Sequence, residues 1–258
     1  MLTEEKNVLQ LLQPKKLTMD VNKNSYTFIF SAILVIVVAG LLAFVSESLK
    51  PMQKENVRIE KMQNILASVG MESTPQNAAE KFEKYIVDQK MLSNDGEVLT
   101  ATEIDPFDID VVQQYKAVPA EERQYPLFIF EENGAKKYIV PLAGKGLWGP
   151  IWGYISFEED MNTVYGTTFD HKSETPGLGA EINTDPFQDK FIGKTIFDQS
   201  DNFVSVDVVK GGVDTSGDQH KIDGISGGTI TSKGVGEMIE RTLKVYVPHF
   251  KGNKQAAL

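Results

Sequence analysis

Residues Tyr125 to Phe157 read YPLFIFEENGAKKYIVPLAGKGLWGPIWGYISF, and the fold class turns on this stretch. Tyr125–Phe130 is a short apolar run rich in aromatic and β-branched residues, the pattern of a strand. Asn133–Gly134 follows as a two-residue hairpin turn, because both positions tolerate positive φ. Lys137–Leu142 returns as a second strand, and Pro150–Phe157 is a third, antiparallel to the second. Val164–Thr168 reads as a fourth strand, and Phe203–Val209 alternates valines with polar residues. Helical periodicity appears outside this block. Val235, Met238, Ile239, Thr242, Leu243 and Tyr246 form one apolar stripe near the C-terminus. Val57, Met62, Ile65, Leu66 and Val69 form another that Gly70 stops. Thr74–Pro75 reads as a cap with proline at the first helical position, opening a helix to about Met91 with Phe82, Tyr85 and Ile86 inward. Asn94–Asp95–Gly96 is a turn, and the acidic stretch Glu97–Arg123 is mostly loop. Strands in hairpins with segregated helices indicate an α+β fold with an antiparallel sheet and flanking helices.

N-terminal to that block lies a different kind of segment. Tyr26–Val45 (YTFIFSAILVIVVAGLLAFV) has no charge in 20 positions, long enough to cross a bilayer as a helix. The reading places a tail at 1–25, a single transmembrane helix at 26–46 and one extramembrane domain at 50–258. Met19 is an alternative start to Met1. Lysines flank both ends of the span, so charge bias does not orient it. The length of the C-terminal part favours its export to the periplasmic side of an inner membrane.

Composition removes several chemistries. The 258 residues carry 26 basic and 36 acidic side chains, a formal charge of −10, which argues against nucleic-acid binding. There are no cysteines, so disulfides, thiolate nucleophiles and cysteine-held zinc or iron–sulfur centres are excluded. The three histidines, His171, His220 and His249, share no metal-ligand spacing, and no metal or sodium site is expected.

Three glycine-rich segments fit neither a strand nor a helix interior. Asp223-Gly-Ile-Ser-Gly-Gly-Thr-Ile-Thr-Ser232 sits just before the C-terminal helix. A glycine pair lets the backbone approach an anion, and N–H groups at a helix N-terminus favour phosphate. An ordinary turn with a Ser/Thr cap explains the same residues. Ser173-Glu-Thr-Pro-Gly-Leu-Gly-Ala180 is either a surface loop or a loop that closes on a flat ligand. Gly144-Lys-Gly-Leu-Trp-Gly-Pro150, with Trp152 beyond it, supplies either core aromatics or a wall for a planar ring.

Taken in order behind one anchor, the three segments resemble the signatures of the covalent FMN-binding domain family. Ser226-Gly-Gly-Thr229-Ile-Thr is similar to its [S/T]-G-A-T flavinylation motif, with Gly228 in place of the usual alanine. Within that family the chain resembles the anchored flavoprotein subunits of sodium-translocating NADH:quinone oxidoreductases. The resemblance implies FMN joined through its phosphate to Thr229 as a phosphoester, with Thr231 the second candidate hydroxyl. It places Ser226, Gly227, Gly228 and Asp223 at the attachment loop. Glu174, Thr175, Gly177, Leu178, Gly179 and Trp148 are expected to lie near the flavin.

It further implies that a separate flavin transferase installs the group from FAD with magnesium. The chain then has no catalytic residues of its own and serves as an electron carrier among the other subunits of a membrane complex. That complex oxidises NADH, reduces quinone and moves sodium. The alternatives are the related G subunit of an Rnf-type electron-transport complex, and an anchored binding or sensory domain without flavin.

Overall fold

The structure is a computed structural model that describes residues 21, 23–100 and 102–256. The tail 1–20, and with it the choice between Met1 and Met19, lies outside the described residues. The chain divides into two units, the boundary falling between Asn56 and Val57.

Helix α1 spans Asn24–Ala67. Its part in the first unit holds the uncharged run, whose best 18-residue window has a mean hydropathy of 3.0 and no buried residue. Twenty residues at 1.5 Å rise give about 30 Å, the thickness of a bilayer's hydrocarbon core. The sequence suggests a break after Ser46–Glu47, but the helix continues through Pro51. Two local contacts support the join: the Ser48 hydroxyl donates to the Phe44 carbonyl at 2.8 Å, and Lys50 pairs with Glu47 at 2.5 Å.

The second unit is built on a five-stranded antiparallel sheet in the order β1-β2-β3-β4-β5. The strands are β1 (Ile86–Leu92), β2 (Tyr125–Glu132), β3 (Ala135–Lys145), β4 (Pro150–Phe157) and β5 (Val164–His171). The β2–β3 hairpin closes at Asn133 (φ 53°) and Gly134 (φ 84°), with Glu132 facing Ala135. Pairing of β3 with β4 ends at Lys145–Pro150, which leaves Gly146–Gly149 as a loop at the sheet's end.

Both faces of the sheet are covered, which is why YPLFIF is a continuous apolar run. Leu127, Val140 and Ile155 point to one side and pack with Val235, Met238, Ile239, Leu243, Tyr246 and Phe250 of the last helix, α5 (Thr229–Ala256), which follows the short α4 (Asp185–Gln188). Phe128, Phe130, Ile139 and Tyr154 point to the other side. There they meet Met62, Ile65 and Leu66 of α1 and Phe82 of α2 (Ala78–Tyr85). Burying each such side chain is worth roughly 1.5–3 kcal/mol, so neither face can be left wet.

Four local expectations need correction. The helix expected to reach Met91 stops at Tyr85; Ile86–Leu92 is instead the edge strand β1, registered on β2 from Leu92–Tyr125 to Ile86–Phe130. Met91 and Leu92 are fully buried by that pairing, so tertiary contacts override a helix-compatible spacing. The Glu97–Arg123 stretch contains α3 (Val111–Ala117), capped by Asp110, which accepts from the Gln113 N–H at 2.9 Å. The strand expected over Phe203–Val209 is interrupted at Ser205 (φ 62°): Phe203 makes an isolated antiparallel bridge with Phe197, and the strand proper is β6 (Asp207–Val209), paired in parallel with β7 (Lys221–Asp223). Val57, read as part of the buried stripe, is 63% exposed. The α+β class and the C-terminal stripe stand as read.

Candidate functional site

The parallel pair delivers the chain to the site. β7 ends at Asp223, Gly224 N–H donates to the Val209 carbonyl at 2.9 Å, and Ser226–Gly228 turns into α5 at Thr229. The turn is closed by Gly228 N–H on Ile225 O at 3.0 Å. It is tied to the helix by Ile225 N–H, which donates to Ser232 Oγ at 3.0 Å. Gly227 has φ 80°, and a Cβ there would stand 2.7 Å from Leu178 Cδ2. Only glycine meets both conditions.

That contact brings in the second segment. Thr175–Ala180 is a compact loop in which Leu178 and Ala180 N–H groups both donate to Thr175 O at 3.1 Å. Leu178 lies over Gly227 and Gly228. Gly179 is buried where a Cβ would stand 2.5 Å from Thr231 Oγ1 and 2.7 Å from Glu174 Oε2. The two loops therefore meet through glycine on both sides.

Glu174 joins all three segments. Its side chain is buried, and Oε1 accepts the backbone N–H groups of Trp148 at 2.8 Å and Gly149 at 3.2 Å. Oε2 accepts the Thr231 hydroxyl at 2.6 Å. Burial opposes ionisation of this carboxyl. The Thr231 hydroxyl and the backbone N–H groups of Trp148, Gly149 and Leu147 outweigh burial and hold the carboxyl below its ordinary value. A buried carboxylate with several donors is satisfied without a counter-cation. His171 supports it from behind, accepting Glu174 N–H on Nδ1 at 3.2 Å.

The two candidate hydroxyls differ sharply. Thr231 is 2% exposed and already donates to Glu174. Thr229 opens the helix and is exposed, as are Ser226 and Gly227 before it. First-turn N–H groups of a helix have no intrahelical acceptor and favour an anion. Ile230, Leu178 and Trp148 are exposed apolar side chains of the same three segments. Ile230 escapes the motif-based reading; its signal is an apolar residue on the outer side of a helix start. Thr175 and Gly177 are exposed on the second loop. Lys233 is also exposed.

Asp223 is engaged elsewhere. It pairs with Lys190 at 2.8 Å, and although part-burial works against ionisation, that lysine and the Gly212 N–H hold its carboxyl below the ordinary value. Among the described residues no cluster of His, Cys, Asp or Glu could hold a metal ion.

An exposed threonine at a helix start, glycines that admit close approach, and an exposed apolar rim fit a phosphate-bearing planar group. The sequence comparisons agree. Residues 146–244 match the FMN-binding domain family, and those bounds take in the Ser173–Ala180 and Asp223–Ser232 segments whole and the third segment from Gly146 onward. The chain is 30% identical to the C subunit of the Na(+)-translocating NADH-quinone reductase of Haemophilus ducreyi, over 83% of this chain and 88% of that protein. Its fold is similar to the crystal structure of the corresponding subunit from Parabacteroides distasonis. That match has TM-score 0.70 and 44% identity, covering 78% of this chain and 96% of that one. It is also similar to Shewanella oneidensis NqrC, with TM-score 0.63 and 26% identity, covering 76% and 98%. The chain therefore belongs to the family of C subunits of the Na(+)-translocating NADH-quinone reductases.

Proposed function

We propose that this chain is the membrane-anchored, FMN-carrying electron-transfer subunit of a Na(+)-translocating NADH-quinone reductase complex. Residues 26–46 form its single span, and the domain after it lies on the periplasmic side of the inner membrane. Family membership favours this reading over the Rnf-type alternative, and the three converging glycine-rich segments favour it over a domain without flavin. Its partners are the other subunits of the complex and, during maturation, a flavin transferase.

Thr229 is the attachment residue. The observation that carries this assignment is the contrast between the exposed Thr229 and the buried Thr231, whose hydroxyl is already hydrogen-bonded to Glu174. In the ester, Thr229 Oγ holds the FMN phosphate at the positive end of α5, where the first-turn N–H groups offset its charge. Bound FMN supplies reversible electron uptake and release, which no side chain of this cysteine-free protein provides. Glu174 holds the Trp148 and Thr231 segments together, Leu178 walls the attachment loop, and the exposed Trp148 and Ile230 side chains offer apolar contact to the ring system.

The test is denaturing electrophoresis of the chain co-expressed with a flavin transferase. In-gel flavin fluorescence is expected in the wild type and in Thr231→Val, and none in Thr229→Ala. Fluorescence that persists in Thr229→Ala overturns the attachment residue, and a wild type with no flavin overturns the function.

A further inference from the structure

A cavity away from Thr229 has a lining of its own. It lies beside β3 and is lined by Tyr115 of α3, Arg123, Tyr125 and Pro141 of the sheet region, and Arg241 of α5. It encloses about 410 Å³ of empty space counting its open mouth.

The chain has only three arginines, Arg58, Arg123 and Arg241, and two of them meet here. Both stack against one ring, the Arg123 and Arg241 guanidinium carbons standing 5.4 Å and 4.4 Å from the Tyr115 centroid. Each is fixed by main-chain carbonyls. Arg123 donates from Nε to Val118 O at 2.9 Å and from Nη2 to Tyr115 O at 3.1 Å, and Arg241 donates from Nη2 to Ala143 O at 2.6 Å.

Neither has a carboxylate within ion-pair distance among the described residues, whereas Arg58 pairs with Asp108. Glu240, the residue before Arg241, is taken by Lys244 at 2.7 Å. In a protein of charge −10, two part-buried guanidiniums held in place without a counter-ion are costly unless an anion completes them. The field reaches the Tyr125 hydroxyl: burial raises its pKa while both arginines pull it down. Carbonyls occupy one edge of each guanidinium, so the remaining N–H groups form a planar donor set suited to a carboxylate.

We infer that this cavity is a carboxylate-binding site, independent of the flavin loop. A free small carboxylic acid or an acidic side chain of a neighbouring subunit presents the same chemistry. The probe is succinate titrated by calorimetry into the detergent-solubilised full chain, alone and in the assembled complex. Saturable binding to the isolated chain is expected with a Kd of roughly 1 mM, weakened at least about tenfold in Arg123→Gln and in Arg241→Gln. Circular dichroism of each variant confirms that it is folded, and Arg58→Gln, which lies outside the cavity, should bind like the wild type. If the complex also binds succinate, the ligand is a free acid; if assembly blocks it, a neighbour's carboxylate fills the site. No saturable binding to the isolated chain, or equal binding by the folded arginine variants, overturns the inference.

Discussion

Thr231 and Glu174, 57 positions apart in sequence, share a 2.6 Å hydrogen bond buried between α5 and the loop that follows β5. This bond sets Thr231 apart from Thr229 in the same short motif. One hydroxyl is consumed by the fold and the other is left outside it.

Thr231→Val keeps the shape of the side chain and removes the donor. The buried carboxylate then lacks one of its partners, which costs about 2 kcal/mol. Urea unfolding of the full chain in detergent checks this. Thr229→Val, at an exposed position, should stay within about 0.5 kcal/mol of the wild type in the same experiment.

Gly179→Ala should destabilise by about 1–3 kcal/mol, because its methyl group meets the Thr231 hydroxyl and the Glu174 carboxylate at once. The double variant Gly179→Ala/Thr231→Ser keeps the Oγ that the added methyl meets, so thermal unfolding should show no recovery.

Trp148 offers a test that separates side chain from main chain. Its ring is 67% exposed, but its N–H is bound by Glu174. Trp148→Ala should change stability by less than about 0.5 kcal/mol. Trp148→Pro deletes the N–H and should cost about 2 kcal/mol or more.

The acid limb of stability should depend on Glu174. Its folded pKa is depressed, so its contribution is present above the unfolded carboxyl value and is lost as pH falls through the folded one. Glu174→Gln should lower stability near neutral pH and flatten the decline below about pH 4. Parallel wild-type and variant curves would show that the carboxylate is not part of the acid transition.

Lys61 should act at the alkaline end. Burial lowers its pKa from 10.5 to about 8 against the pull of Asp110, Asp108 and Asp105, and its ammonium donates to the carbonyls of Phe107 and Ile109. Between those two values the unfolded chain keeps a proton that the folded chain sheds. Stability from this group therefore rises with pH. The wild type should gain on Lys61→Met between about pH 8 and pH 10.5 in urea unfolding.

Much of this architecture is visible in the residues. The β2–β3 hairpin rests on Asn133–Gly134, and the C-terminal helix on a stripe from Val235 to Tyr246, both strictly local signals. β1 is hidden because Phe82, Tyr85 and Ile86 also suit a helix; only pairing with β2 decides for a strand. α3 is hidden because its seven residues bury none of their side chains and so leave no periodic stripe. At the site, motif order indicates that the three loops belong together. It does not reveal that a buried acid is what joins them, since Glu174 beside Thr175 and Pro176 looks like any loop carboxylate. The arginine cavity leaves no local trace, because its members come from four separate segments.

The exposure of Thr229 bears on the order of events in the protein's biosynthesis. The residue that opens α5 stays accessible after Val235, Met238, Ile239 and Leu243 of the same helix have been sealed into the core. Under the proposed attachment at Thr229, cofactor loading can therefore come last. The chain can be synthesised, inserted and folded as an empty protein, and its maturation can wait on the supply of flavin without leaving an unfinished fold exposed to proteolysis.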